Sequence, residues 1–317
     1  MLATKAQHRE HVPWHEYDWR LCVSYRALNR VTRPFKFPIP RCDDAVSDLP
    51  PDARVKILTD MASGYWQVTV EEASRGRLAF FAPNGKWRWV VMPMGALNSH
   101  AIFVCMMTVI QAEWNALARQ RNILRCGSAT IVDDICLWAV NVATMLLYFP
   151  VCLEVLKHYR ATLKLKKTQF LPQSPEFVGI TLGSDGNSPA LSKYEAFRKI
   201  PRPETWSDLS MLIGMFGFYK KWLPLFEVGI QPWRAIQKER PDPGMCNIKE
   251  EQELMTTYWK ESDSKLLVEL KADILSGPVL SRPDPGRMFA LKTDWSSSAL
   301  GLVLVQPDPE HPLTFRV

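Results

Sequence analysis

The stretch ATIVDDICLW, residues 129–138, constrains the fold more than any other. It sets two adjacent carboxylates, Asp133 and Asp134, between two apolar runs of strand length. A two-residue polar turn between such runs makes a β-hairpin, and aspartate tolerates turn geometry well. Taken alone, the acidic pair is explained as that turn. A second acid changes the reading. VKILT, residues 55–59, is a short apolar strand that delivers Asp60 at its end. A carboxylate at the tip of a buried strand is costly unless it is paired or bound to a cation. If the two strands lie side by side, Asp60, Asp133 and Asp134 converge, and their mutual repulsion calls for a cation between them. Mg²⁺ suits such a place, because it prefers hard oxygen ligands and leaves room for phosphate oxygens. Two such ions about 3.5–4 Å apart would serve an in-line phosphoryl transfer.

The rest of the chain bounds this idea. Its 317 residues suggest about two domains, and a composition 47% hydrophobic and 23% charged is that of a globular protein. The formal net charge of +6 permits a nucleic-acid partner without requiring one. The seven cysteines are scattered and none stands in a CxxC pair, so neither a zinc knuckle nor a disulfide framework is indicated. His8, His11 and His15 cluster, but Pro13 breaks any helix that could aim them together, and they read as surface histidines. The N-terminus lacks the apolar core of a signal peptide, and no run of 18 apolar residues occurs. The expectation is a soluble protein of the cytoplasm or nucleus, with reduced thiols and no membrane partner.

Periodicity sketches the elements. Strand-like runs cover 18–28, 55–59 and 64–70, and 78–92 reads as a hairpin around Pro83-Asn84-Gly85. Phe103, Met107, Ile110, Trp114 and Leu117 repeat at helical spacing, as do Cys152, Val155, Leu156, Tyr159 and Leu163 in a helix over 151–165. LGSDGNSPALS, residues 182–192, is a candidate linker. A helix over 207–223 contains Gly214 and Gly217, each costing about 1 kcal/mol against alanine, which close backbone packing would explain. One long helix ends near Ile274, and MFALKTDWSSSALGLVLVQ reads as a strand hairpin. Mixed strand and helix runs of this kind give an α+β fold. A docking role would instead present Trp206, Phe216 and Trp222 as an exposed face, although their spacing fits a core.

The order of motifs resembles reverse transcriptase, and in particular gypsy-type LTR retrotransposon polyproteins. YRALN (25–29), FPIPR (37–41), Asp60 with SGYWQV, LAF, VMPMGALN (91–98), VDD (132–134) and FVGITL (177–182) occur in the right sequence and spacing. Two positions depart from the usual pattern: Ile131 stands where an aromatic is common, and Ser24 where an aspartate is common. The resemblance implies a right-hand polymerase followed by a truncated ribonuclease H-like segment. Fingers and palm would span 1–188, thumb and connection 189–275, and the ribonuclease H-like part 276–317. The chain then reads as part of a polyprotein, without recognisable protease or integrase segments.

By the same resemblance, Asp60, Asp133 and Asp134 are the catalytic, metal-holding acids, taking two Mg²⁺ with Mn²⁺ as the alternative ion. Arg20 matches the arginine that clamps the incoming triphosphate, a task suited to a bidentate guanidinium. Tyr65 matches the aromatic gate that excludes the ribose 2′-hydroxyl. Met94, Gly95 and Asn98 lie in the segment that meets the nascent base pair and template, and Lys166 or Lys167 matches a lysine near the pyrophosphate. Lys157, Arg160 and Lys164, together with those two lysines, form a basic run without an acid, and Lys220 and Lys221 close the thumb helix; both suit a phosphate backbone. The implied partners are an RNA or DNA template with its primer and deoxynucleoside triphosphates. A catalytically decayed remnant that only binds nucleic acid or a protein is the alternative.

LKTDWSSSALGLVLVQ resembles the opening strands of the ribonuclease H-like domain, with Asp294 as its first acid. One carboxylate cannot build a two-metal nuclease site. The purified chain is therefore expected to leave the RNA of an RNA–DNA hybrid uncut in the presence of Mg²⁺; metal-dependent cleavage would contradict this.

Overall fold

In a computed structural model of the chain, the described residues are 2–4, 19–47, 49–183, 186–223, 226–241, 247–277, 279–280, 286–295, 300–307 and 315–316, with Arg20 and Asp294 described in backbone alone. The three N-terminal histidines lie outside the described residues. The chain divides into two compact units, Met1–Pro172 and Gln173–Val317.

The first unit is built on a four-stranded antiparallel sheet. Its strands run in the order Cys126–Ile131, Asp134–Ala139, Val55–Asp60 and Gln169–Phe170. The expected hairpin is present, with one difference. Ile131 pairs with Asp134, so the two turn residues are Val132 and Asp133, and Asp134 already belongs to the second strand. Two helices, Ser99–Gln120 and Val142–His158, pack on this sheet and on each other. Ile57, Ile135, Leu137 and Ala139 from the strands meet Phe103, Met107, Ile110 and Trp114 from the first helix, and Met145, Tyr148, Val151 and Val155 from the second. The Ser99–Gln120 helix is long and apolar enough to cross a membrane by composition, but its apolar stripe is committed to this core.

Several expectations are corrected. The strand expected over 18–28 is confined to Trp19–Leu21, and Arg26–Val31 is helical. Residues 64–67 form a one-turn 3₁₀ helix rather than a strand, entered through Ser63 in the left-handed region (φ 54°). The helix expected from 151 begins at Val142, where Asn141 Oδ1 caps it by accepting from the Thr144 N–H at 2.8 Å. Pro150 lies inside this helix instead of ending it. A proline there forfeits one backbone hydrogen bond, and the residue four positions earlier, Leu146, is 69% exposed. The buried face from Met145 to Leu156 supplies the packing that holds the helix through the proline. It ends at His158, so Tyr159 and Leu163 are not part of it; Leu163 instead bridges to Met61. The hairpin at Phe80–Ala82 and Gly85–Trp87 stands as expected, though it is shorter.

The second unit opens with a three-stranded sheet, Glu176–Phe177, Ile180–Leu182 and Asn187–Pro189. The stretch read as a linker therefore contributes paired strands, and Asn187 also exchanges two backbone hydrogen bonds with Leu280. The helix Trp206–Phe218 starts at a capping box formed by Thr205 and Asp208. The single long helix expected before Ile274 is two: Ile248–Tyr258 opens at a capping box of Asn247 and Glu250, and Glu261–Leu275 opens where Asp263 Oδ2 accepts from the Lys260 N–H at 2.9 Å. Trp206, Phe216 and Trp222 are buried, which removes the exposed docking face considered from sequence. The hairpin Ala290–Trp295 with Leu300–Pro307 forms as expected, placing Asp294 opposite Gly301.

Gly214 and Gly217 do not serve close packing: a Cβ built on either meets no atom within 4 Å. An alanine would keep the helix and shed the backbone entropy of glycine. Gly214→Ala is expected to stabilise the protein by about 0.5–1 kcal/mol in urea unfolding; a loss of stability would show an unseen close approach at that face.

Candidate active site

Backbone pairing brings the acids together. Asp60 is the last residue of its strand and lies directly opposite Asp134, the first residue of the neighbouring strand. The Met61 N–H donates to the Asp133 carbonyl at 3.1 Å, tying the turn to the chain that leaves Asp60. Val132, the first turn residue, has φ 56°. A β-branched residue rarely adopts that conformation, which costs of order 1–3 kcal/mol. The hairpin therefore holds Asp133 through a strained corner.

The segment after the Val142–His158 helix returns along the other side of the Asp60 strand. Lys164 N–H donates to the Asp60 carbonyl at 2.7 Å, Ala62 N–H to the Thr162 carbonyl at 2.9 Å, and Gln169 pairs with Leu58. Gln67 reinforces this return: its Nε2 donates to the carbonyls of Ala62 and Thr162, and its Oε1 accepts from the Thr162 N–H at 2.7 Å. The Thr59 and Thr168 hydroxyls meet at 2.7 Å. As a result Lys167, rather than Lys166, reaches the site, with Nζ 2.5 Å from Asp60 Oδ2.

The electrostatics follow from this crowding. Burial raises the Asp133 pKa; its own backbone N–H opposes the rise, and the negative charge of Asp60 adds to it. Asp134 is raised by partial burial and by the charges of Asp133 and Asp60, with Lys167 relieving both acids. Lys167 in turn is raised by its hydrogen bond to Asp60 and by the charges of all three acids. Asp60 is 9% exposed, and its Oδ1 is buried without a hydrogen-bond partner. Among the described residues, no three side chains of the carboxylate, imidazole or thiolate kinds stand together as a ready metal-holding group. The expected convergence is met by the backbone, while the Lys167 ammonium neutralises Asp60.

Other expected site residues fall into groups. Tyr65 stands in the 3₁₀ turn after Asp60, stacked on Phe103 with centroids 5.1 Å apart, and its hydroxyl meets His100 Nδ1 at 2.9 Å. Burial and the charge of Asp133 raise its pKa, so the phenol keeps its proton. Met94 is exposed, and Gly95 has φ 86°, open to glycine and strained for other residues. Asn98 is occupied by loop bracing: its Oδ1 accepts from Phe35 N–H and its Nδ2 donates to the Arg33 carbonyl. Asn29, which sequence reading missed, does the same from the other side, bonding the Gly95 carbonyl and the Leu97 N–H. A cavity of about 610 Å³ lies beneath these loops, lined by Asn29, Val70, Met92 and Asn98 among others, and not by the three acids.

Lys157 and Arg160 are exposed at the end of the Val142–His158 helix, and Lys166 is exposed beside Lys167. Lys220 and Lys221 belong to the second unit; Lys220 pairs with Glu227 at 3.4 Å and Lys221 lies over the Trp222 ring at 4.4 Å. Arg20 pairs in backbone with Ala3, and Asp294 lies in its hairpin strand; the side chains of both are outside the description. His100, Gln67 and Asn29 carried no signal of their own, because each acts through a contact distant in sequence.

Crowding of like charge costs stability when no cation is bound. Asp133→Asn is expected to raise the melting temperature of the protein in EDTA by about 2–4 °C, as active-site substitutions of this kind do. A fall would show that the acids support the fold rather than strain it.

Comparison with known proteins agrees with this geometry. Residues 12–182 match the family described as "Reverse transcriptase (RNA-dependent DNA polymerase)", and residues 259–316 match "RNase H-like domain found in reverse transcriptase". The retrovirus-related Pol polyprotein from transposon 297 of Drosophila melanogaster is 28% identical over 300 residues, covering 94% of this chain and 26% of that protein. The corresponding polyprotein from transposon gypsy of the same organism is 25% identical over 290 residues, covering 90% of this chain and 27% of that protein. The chain thus spans about a quarter of the length of these relatives. Among solved structures, a foamy viral protease-reverse transcriptase in complex with double-stranded DNA is similar at a TM-score of 0.76 and 20% identity, covering 96% of this chain and 50% of that one. A foamy viral protease-reverse transcriptase in complex with an RNA/DNA hybrid is similar at a TM-score of 0.72 and 19% identity, covering 94% of this chain and 38% of that one. These two establish the fold, a mixed α+β polymerase hand, and the second family match adds the ribonuclease H-like part. With the first family match covering more than half of its residues, the chain belongs to the reverse transcriptase family.

Proposed function

We propose that this chain is the polymerase part of a retrotransposon polyprotein, an RNA-directed DNA polymerase that extends a primer 3′-hydroxyl with deoxynucleoside triphosphates on an RNA or DNA template. The observation that carries this reading is the pairing of Asp60 opposite Asp134, with Asp133 at the turn and Lys167 on Asp60. Family membership supports the same reaction. A remnant that only binds nucleic acid is not favoured, because the three acids and their lysine keep a coherent arrangement.

The donor set fits a divalent cation: Asp60 offers a buried, unpartnered oxygen, and Asp133 and Asp134 add hard oxygen donors whose charge lacks a full counterweight. Asp60, Asp133 and Asp134 would hold Mg²⁺ or Mn²⁺. The chemistry supplied when such ions are bound is a lowered pKa at the primer hydroxyl and neutralisation of the leaving pyrophosphate. The protein's own part is positional. The strained turn sets Asp133, the strand pairing sets Asp60 and Asp134, and Lys167 would be released toward phosphate were Asp60 to hold a cation. Arg20 supplies bidentate contact to the triphosphate, and Tyr65 stands under the sugar. Met94 and Gly95 face the nascent pair from a loop held by Asn29 and Asn98. Lys157, Arg160, Lys164 and Lys166 in the first unit bind backbone phosphates, and Lys220 and Lys221 do so separately in the second. The division into fingers and palm, thumb, and a ribonuclease H-like part belongs to the same proposal. A cytoplasmic or nuclear setting belongs to the same proposal.

Asp133→Asn keeps the hairpin and removes one charge. It is expected to abolish Mg²⁺-dependent primer extension, by at least about 10³-fold, while the circular dichroism spectrum stays that of the parent. Equal extension by variant and parent would overturn the proposal.

A further inference from the structure

Tyr65 is held at three points. Its ring stacks on Phe103 at an interplanar angle of 27°. The preceding residue is Gly64, where a Cβ would come within 2.6 Å of Phe103 Cζ, so the turn carrying Tyr65 lies hard against the same ring. Both contacts set the plane of the tyrosine, but neither fixes its hydroxyl end along that plane. The third contact does: the hydroxyl meets His100 Nδ1 at 2.9 Å. Which of the two donates is set by the imidazole tautomer, and in either sense the bond ties the hydroxyl to His100.

His100 is itself well anchored. It is the second residue of the Ser99–Gln120 helix, whose entry is braced by Ser99 Oγ donating to the Pro93 carbonyl at 2.8 Å and by the Asn98 side chain on residues 33 and 35. The tip of Tyr65 is therefore tied to a fixed helix end. A steric gate rejects an added hydroxyl only as sharply as its own position is defined, and displacements well under 1 Å matter for such exclusion.

Resting on the polymerase reading above, we infer that His100 is a positioning residue for sugar selection: by holding the Tyr65 hydroxyl, it sharpens discrimination between deoxyribonucleotides and ribonucleotides. It need not touch the nucleotide. A substitution that frees the hydroxyl lets the ring slide along Phe103 and admits a 2′-hydroxyl more readily.

The test is the ratio of kcat/KM for a deoxynucleotide to that for the matching ribonucleotide in primer extension. His100→Ala and Tyr65→Phe are each expected to lower the ratio about fivefold, the worth of one ordinary hydrogen bond. The double variant is expected to lose no more than either single one. His100→Asn, whose amide oxygen stands near the place of Nδ1, is expected to restore most of the ratio. A general structural defect would lower both kcat/KM values together and leave the ratio unmoved; that result, or an unchanged ratio in His100→Ala, overturns the inference. Imidazole ¹⁵N shifts separate this from failure of the polymerase reading. If the parent extends no primer, the polymerase reading falls. The positioning contact is then judged by itself: the His100 Nδ1 shift moves in Tyr65→Phe if His100 holds the hydroxyl in solution, and a shift that does not move overturns the positioning role.

Discussion

The register between the strand ending in Asp60 and the strand beginning with Asp134 is the constraint on which the rest of the site depends. Side chains alternate along a strand, so a slip of one residue would take Ile57, Ile135 and Leu137 away from the helices and carry the acids to the wrong face. Here the slip is prevented twice. Ile57, Ile135 and Leu137 must face the helices, and the two-residue turn at Val132–Asp133 fixes the hairpin at its end. The same register that buries the core therefore gathers the charges. Fold and site are specified by one pairing pattern rather than by two.

The gathering has a cost that the protein distributes. Three acids at one corner raise the energy of their ionised forms, visible in the upward shifts of Asp133 and Asp134. Lys167 offsets part of this by sitting on Asp60. That lysine arrives because residues 162–170 run back along the Asp60 strand, an arrangement secured by backbone hydrogen bonds and the Gln67 side chain. A counter-ion on a flexible four-carbon stem can give way to a harder cation without any backbone rearrangement. The strained Val132 and the crowded acids are the kind of local conflict that a functional site retains and its surrounding core sustains.

Much of this was legible in the sequence, for reasons that are physical. Short apolar runs ending in isolated acids pointed to buried strand tips, and the 3.6-residue stripe from Phe103 to Trp114 pointed to the core helix. What was missed depended on contacts that periodicity does not carry. The helix expected over 151–165 starts nine residues earlier, at Val142, and runs through Pro150 because its packed face holds it. The alternating look of GYWQVTV concealed a 3₁₀ turn that Gly64 permits by closing onto Phe103. At the break at Trp259–Lys260 the Asp263 side chain accepts from the Lys260 N–H, a local contact within an otherwise continuous helical pattern. The choice between Lys166 and Lys167, and the bracing roles of Asn29, Asn98 and His100, require three-dimensional neighbours to be known.

The central claim is that Asp60, Asp133 and Asp134 act as one cation-holding unit. Its most direct test is Mn²⁺ titration followed by electron paramagnetic resonance, on the parent and on Asp60→Asn and Asp134→Asn variants, each bound to a primer–template. The account predicts that the parent takes up Mn²⁺ and that either single variant loses at least one ion or binds it at least about tenfold more weakly. Uptake of the same number of ions with the same affinity by all three proteins would contradict it.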